Sequence, residues 1–416
     1  MTVGASAAGD ASAAGADGAL PTRVSTLEIF FDLVFAFTLT QLTSVLATKL
    51  SWLAVGQVIL VFGLLWWMYG AYAWLTNSRP PVRTAERLLL LVGMAGFLVV
   101  GLAIPEGFAS YGLVLGLGYL VVVIVHTVLY YRVNKHILRV APFNLGSALL
   151  VTAAGLLHGS SGTASGPAYG LWIAALAVQL GSPLIVRPSG FFELRPEHFS
   201  ERHSALLIVA IGESVAAVGI GAAGPISHAA SVSWRLLASA VLGLAVAAAL
   251  WWIVFGAGDE DRARRALSRA DSRQRTQLAL GALFYGNIPL LLGLVAVAAA
   301  VLRAVVTAAG HPAAVSVLGS SAGPGTGIKI AQAAVLAAGA ALFLAGDAVI
   351  RRILGTGPVR PRAAAAVLAL ATMAVGAAAG LDAQLLVVAA VLMLHLITER
   401  DTGTAGGDPA GADAAG

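Results

Sequence analysis

No cysteine occurs among the 416 residues. Disulfides, thiol catalysis and cysteine metal centres are therefore excluded. Charge is also scarce. Asp, Glu, Lys and Arg together make up 11% of the chain, against roughly 25% in soluble globular domains. A water-soluble fold of this length could not cover its surface with so few charges. The net charge of +5 does not imply a nucleic-acid partner, because what matters in such a chain is where the basic residues sit. Residues 1–20 contain no Lys or Arg, so they lack the basic segment of a signal peptide. Residues 1–22 and 401–416, rich in Ala and Gly, are expected as disordered tails.

What is present is apolar length. Hydrophobic residues make up 58% of the chain, and the mean hydropathy is +0.87. A helical span needs about 20 mostly apolar residues. Twelve segments qualify or come close. Six lie in the first half, at Glu28–Ala47, Trp52–Leu75, Ala85–Ile104, Ala109–Tyr131, Ala141–Leu157 and Ala168–Ile185. Six lie in the second, at Ser204–Ala222, Val232–Phe255, Gln277–Val301, Ile328–Ile350, Ala363–Ala379 and Leu381–Ile397. The last two are nearly continuous, with Gly380 and Asp382 marking a tight turn. The expected fold class is an all-α integral membrane protein with about 12 transmembrane helices.

The loops give an orientation. With twelve spans, 21 of the 25 Lys and Arg residues fall on one side, Arg23 and Arg187 among them. Lys49, Arg235, Arg303 and Lys329 fall on the other. Cytoplasmic loops collect Lys and Arg, so both termini are expected in the cytoplasm of a bacterial inner-membrane protein.

The halves resemble each other. Glu28 corresponds to Glu201 at an offset of 173, Trp52 to Trp234 at 182, and Trp66-Trp67 to Trp251-Trp252 at 185. The reading is two parallel six-helix repeats, residues 23–190 and 191–400, because six spans per half return the chain to the same side. Parallel repeats of this kind occur in transporters, with the pathway at the repeat interface. Gene duplication without a transport role is the alternative.

Few ionisable residues fall within the spans, and each is a functional hypothesis because charge is costly there. Glu213 lies ten residues beyond His203, or about 15 Å along a helix, which puts it near the midplane, with Ser214 beside it. A proton or cation site is one reading, and a buried hydrogen bond that fixes packing is the other. Glu28 and Asp32 share a helical face at the start of span 1. They could form an acidic mouth or pair with arginines. Asp347 is followed four residues later by Arg351, a local helix pair. His126 could relay protons or be held structurally. The candidate ion pathway is therefore Glu28, Asp32, Glu213, Ser214 and His126.

Several motifs imitate chemistry. Pro196-Glu197-His198-Phe199-Ser200-Glu201-Arg202-His203 concentrates metal-ligand types, but its spacing is one residue off the inverted zincin pattern. His198, Glu201 and Arg202 are better read as a salt-bridged start to span 7. Gly323-Pro324-Gly325-Thr326-Gly327-Ile328-Lys329 lacks the Gly-Lys-Ser/Thr ending of a phosphate loop. Gly258–Arg275 reads as an amphipathic interfacial helix.

These residues carry a family likeness. Leu27-Glu28-Ile29-Phe30-Phe31-Asp32-Leu33-Val34-Phe35 resembles the opening signature of the bacterial low temperature requirement A family. His198-Phe199-Ser200-Glu201-Arg202 followed by Gly212-Glu213-Ser214 resembles its second signature, and Asn77-Ser78-Arg79 also fits. The chain departs at His203-Ser204, where the family usually has an aromatic and Gly, and at Ile211 in place of Leu. The family name describes a growth trait, so the resemblance implies architecture more than activity. A weaker analogy joins Phe30-Phe31-Asp32 to the first span of two-repeat lysosomal potassium channels. The expected function is a transporter or channel for a cation, proton or small solute. The alternative is a non-transporting membrane protein that supports low-temperature growth, envelope adaptation or lipid sensing. The expected partners are the lipid bilayer and the transported species. No enzymatic activity, cofactor, metal or nucleic acid is expected.

Overall fold

The structure is a computed structural model that describes residues 24–157, 162–186, 195–228, 233–256, 258–310 and 326–404. The N-terminal tail, Arg23, Arg187, Gly323-Pro324-Gly325 and residues 405–416 lie outside the described residues. Every regular element among the described residues is a helix.

The first half contains α1 (Thr26–Thr48), α2 (Trp52–Ser78), α3 (Thr84–Ala103), α4 (Gly112–Tyr131), α5 (Ala141–Ala154) and α6 (Gly166–Ile185). The second contains α7 (Pro196–His228), α8 (Trp234–Phe255), α9 (Asp259–Arg269), α10 (Ser272–Leu278), α11 (Asn287–Ala308), α12 (Thr326–Leu354), α13 (Arg360–Ala371), α14 (Met373–Ala379) and α15 (Leu381–Thr404). Starts are set by short polar side chains that satisfy orphan amides. Ser25 and Glu28 form a capping box on α1. The Ser51 hydroxyl accepts from the Ala54 amide at 3.1 Å on α2, and Ser233 accepts from Leu236 at 3.2 Å on α8.

Eleven helices among the described residues are long and apolar enough to cross a membrane. The physical sign of a bilayer lies on their outer faces. On α3, Leu88, Leu91, Val92, Leu98, Val99 and Leu102 are exposed while Leu90, Met94, Phe97 and Val100 are buried. A helix apolar on both faces has no place at a water interface and suits lipid. α5 differs from the expected fifth span. It stops at Ala154 after 14 residues, about 21 Å of rise, which falls short of a hydrocarbon core of about 30 Å.

Three boundaries moved for local reasons. α7 begins at Pro196, so His198, Glu201 and Arg202 form its first two turns rather than a separate segment. The amphipathic stretch ends at Arg269, because Asp271 caps a new helix through the Gln274 amide at 2.8 Å. α15 runs on to Thr404, into the expected tail. The last hairpin turns at Gly380, whose φ of 93° suits a residue without Cβ.

Neighbour relations repeat between the halves. In the first, α1 packs on α2 and α3, α3 on α4, α4 on α5, α5 on α6, and α6 on α2. In the second, α7 packs on α8 and α11, α11 on α12, α12 on α13 and α14, α14 on α15, and α15 on α8. α1 and α7 join the halves. The α3–α4 crossing is close at Gly96, where a Cβ would come within 3.1 Å of the Gly118 carbonyl oxygen. The α11–α12 crossing is close at Gly339, where a Cβ would lie 3.0 Å from the Gly293 carbonyl oxygen.

Candidate functional site

α1 and α7 lie side by side with their first turns at the same end. Glu28 and Asp32 present one face of α1, and His198 and Arg202, also four apart, present the facing side of α7. The rungs keep register, since Glu28–His198 and Asp32–Arg202 are both 170 residues apart. All four side chains are no more than 2% exposed.

Arg202 is the hub. Its Nε and Nη2 both donate to Asp32 Oδ1 at 3.1 Å. Its Nη1 lies 3.6 Å from Glu28 Oε1 and donates to the Thr76 hydroxyl. The guanidinium also sits 5.3 Å from the Phe31 ring centre and 5.5 Å from that of Tyr69, within cation–π range. The Tyr69 hydroxyl donates to Asp32 Oδ1 at 3.0 Å. One fixed cation therefore faces two buried carboxylates.

The state of His198 follows from its neighbours. The Arg195 amide donates to Asn77 Oδ1 at 3.0 Å, and Asn77 Nδ2 donates to the Arg195 carbonyl at 3.1 Å. That fixes the Asn77 amide, so its Nδ2 faces His198 Nδ1 as a donor at 3.3 Å. Nδ1 must accept, and Nε2–H donates to Glu28 Oε2 at 3.1 Å. His198 is thus committed on both nitrogens. Partial burial lowers the Arg195 pKa from its ordinary value, and nearby Glu28 pulls it back up. Glu201 takes a different role, accepting from the Val24 amide at 3.3 Å and holding the approach to α1 against α7.

Glu213 stands apart from this cluster. It lies about three helical turns beyond Arg202 on α7. One carboxyl oxygen accepts from the Thr40 hydroxyl of α1 at 2.7 Å. The other, Oε1, is buried without a hydrogen-bond partner, and so is the neighbouring Ser214 hydroxyl. Among the described residues no basic side chain pairs with Glu213. Each of the other carboxylates singled out within the spans has one. Glu28 and Asp32 meet Arg202, and Asp347 meets Arg351 at 3.3 Å and Arg362 at 3.0 Å. His126 lies elsewhere, on α4, packed edgewise against the Tyr72 ring at 5.2 Å between centres.

The structure therefore divides the sequence candidates. Glu28 and Asp32 join His198 and Arg202 in one paired cluster. Glu213 and Ser214 form a second point on the same helix interface, and His126 belongs to neither. Tyr69 and Thr76 were missed as cluster members. The signal for the cluster was two i, i+4 pairs of opposite character, Glu28/Asp32 and His198/Arg202. Their facing is a tertiary fact. Among the described residues no group of three or more His, Asp or Glu side chains is gathered to hold a metal ion.

Comparison with known proteins agrees with the sequence signatures. A family model described as bacterial low temperature requirement A protein (LtrA) matches residues 23–397. The chain is also similar to an uncharacterized protein of Rhizobium meliloti (strain 1021). The two are 26% identical over 286 residues, which cover 66% of this chain and 68% of that protein.

Proposed function

The chain belongs to the bacterial low temperature requirement A family and is a multi-pass membrane protein; from that premise we propose that it moves a proton, a cation or a small solute coupled to one across the inner membrane. The observation that carries the reading is Glu213. A carboxylate midway along a membrane helix, with one neutral hydroxyl as its partner, has an unmet demand for positive charge. A proton or a cation meets it. The paired cluster at the start of α1 and α7 does the opposite job, holding the two helices in register.

The architecture proposed for this function is two six-helix halves around a pseudo-two-fold axis, with α5 counted as a short fifth span and both termini in the cytoplasm. Three observations support it. The neighbour relations recur between the halves. Both sets cross closely at glycine pairs. The contacting residues Thr40 and Glu213 are 173 residues apart, the same offset that aligns Glu28 with Glu201. Equivalent positions touch each other only beside a two-fold axis, so the axis runs between α1 and α7 near Glu213. That is where repeat transporters place their pathway.

In proteoliposomes, Glu213→Gln is expected to lower proton or cation flux by roughly ten-fold or more, the equivalent of about 1.4 kcal/mol at the site. Thr40→Val, which removes only the hydroxyl, should have a smaller effect. Wild-type flux in Glu213→Gln would remove Glu213 from the mechanism and leave a scaffold role as the better reading. Reporter fusions at each end test the topology. Both should read cytoplasmic, whereas an external C-terminus would mean an odd number of crossings and break the two-fold arrangement.

A further inference from the structure

A half-open cavity holding about 180 Å³ of space for water lies away from the α1–α7 interface, lined by α2, α4, α5, α6 and the segment before α11. We propose that it binds a small neutral solute made of one aromatic ring and one hydrogen-bonding group, with that group on His126. The site is independent of Glu213.

Size and walls set the ligand class. An engineered apolar cavity of about 150 Å³ in another protein takes one benzene ring. Here the walls include Trp67, Trp74, Tyr130 and Phe284, and among the described residues no charged side chain lines them. A cation or anion entering would find no counter-charge, so a neutral ring is favoured. The wall at Phe284 is built for the purpose by the backbone. Residues Ala279–Tyr285 form a π-helical turn, a distortion frequent at functional sites. The turn leaves the Phe284 carbonyl accepting from the Trp66 indole at 3.1 Å. Its ring lies over Gly70, where any Cβ would collide with it.

The polar groups single out His126. Asn144 Oδ1 accepts from the Trp67 indole at 3.0 Å, and the Ser182 hydroxyl donates to the Gln179 carbonyl at 2.8 Å. Those bonds are already made within the protein. His126 lines the same cavity, is 2% exposed, and neither ring nitrogen makes a well-formed hydrogen bond, the Ala71 backbone being near enough to one of them for a weak interaction. Its ring is clamped by Tyr72 at 5.2 Å and Tyr130 at 5.6 Å between centres. The side chain is fixed in place with at least one ring nitrogen free to bond a ligand. A neutral imidazole offers one donor and one acceptor, which suits a hydroxyl.

Phenol and benzene are the probes, with binding to the full chain in lipid nanodiscs followed by equilibrium dialysis against empty nanodiscs. Phenol should bind saturably above its partition into lipid, and benzene should bind roughly ten-fold more weakly, as loss of one hydrogen bond implies. His126→Phe should reduce phenol to the level of benzene, and His126→Gln should restore part of the difference. Glu213→Gln should bind phenol like the wild type, which separates this result from any result on flux. Equal, non-saturable uptake of both probes would overturn the proposal. So would unchanged phenol binding in a His126→Phe protein that keeps the wild-type elution volume and thermal midpoint.

Discussion

Arg202→Met is expected to cost about 3–5 kcal/mol of stability, the usual penalty for removing one partner of a buried ion pair. The loss should exceed the lower bound, because this guanidinium is the counter-charge of both Glu28 and Asp32. It also bonds Thr76 and stacks near Phe31 and Tyr69. His198 does not reach Asp32, because its two ring nitrogens are taken by Asn77 and Glu28. The measurement is thermal unfolding in detergent, read beside the yield of monodisperse protein. Arg202→Lys should recover part of the loss, since an ammonium keeps the charge but not the fork that reaches Asp32 through two nitrogens. The triple variant Glu28→Gln, Asp32→Asn, Arg202→Met should recover more than Arg202→Met alone, because it leaves no bare charge. A triple variant as unstable as the single one would show that the cost is packing rather than charge.

The second large effect is expected at Arg362, buried at 0% exposure. Its Nε meets Asp347 at 3.0 Å, its Nη2 meets Glu399 at 3.0 Å, and it donates to the Ile253 carbonyl at 3.1 Å. One side chain thus ties α13 to α8, α12 and α15. Here two guanidinia serve two carboxylates, since Arg351 also reaches Asp347 at 3.3 Å and Glu399 at 2.6 Å. Arg362→Met should therefore cost less than Arg202→Met, nearer the low end of about 3–5 kcal/mol, because Arg351 remains. Paired unfolding curves for the two variants test the order. A larger loss at Arg362 would contradict the charge-counting argument.

Parts of this protein could be read directly from its residues. Helix identity was legible because a bilayer forces long apolar runs and allows few alternatives to a helix. The starts of α2 and α8 were marked by Trp52 and Trp234, with Ser51 and Ser233 as their caps. The Asp347–Arg351 pair is local to one helix and therefore readable. The π turn before α11 was not readable, because no composition rule distinguishes Ala279–Tyr285 from an ordinary apolar helix. The early stop of α5 was missed for a similar reason, as the apolar run continues through Leu157 beyond the last helical turn.

The sequence by itself determined that the chain lies in a membrane as a helical bundle, that α1 and α7 carry the family's two signatures, and that Glu213 falls midway along an apolar segment. Hydropathy and spacing along one chain contain that much. Only the tertiary structure decided which charges meet. Glu28 and Asp32 had several arginines to choose from, and their partners proved to be Arg202 and His198, 170 residues away. Partner choice depends on helix rotation and register between segments far apart in sequence, and these are set by packing. The same packing left Glu213 with Thr40 alone and His126 without a well-formed hydrogen bond. Unmet bonding capacity at those two points is a property of what surrounds them in space.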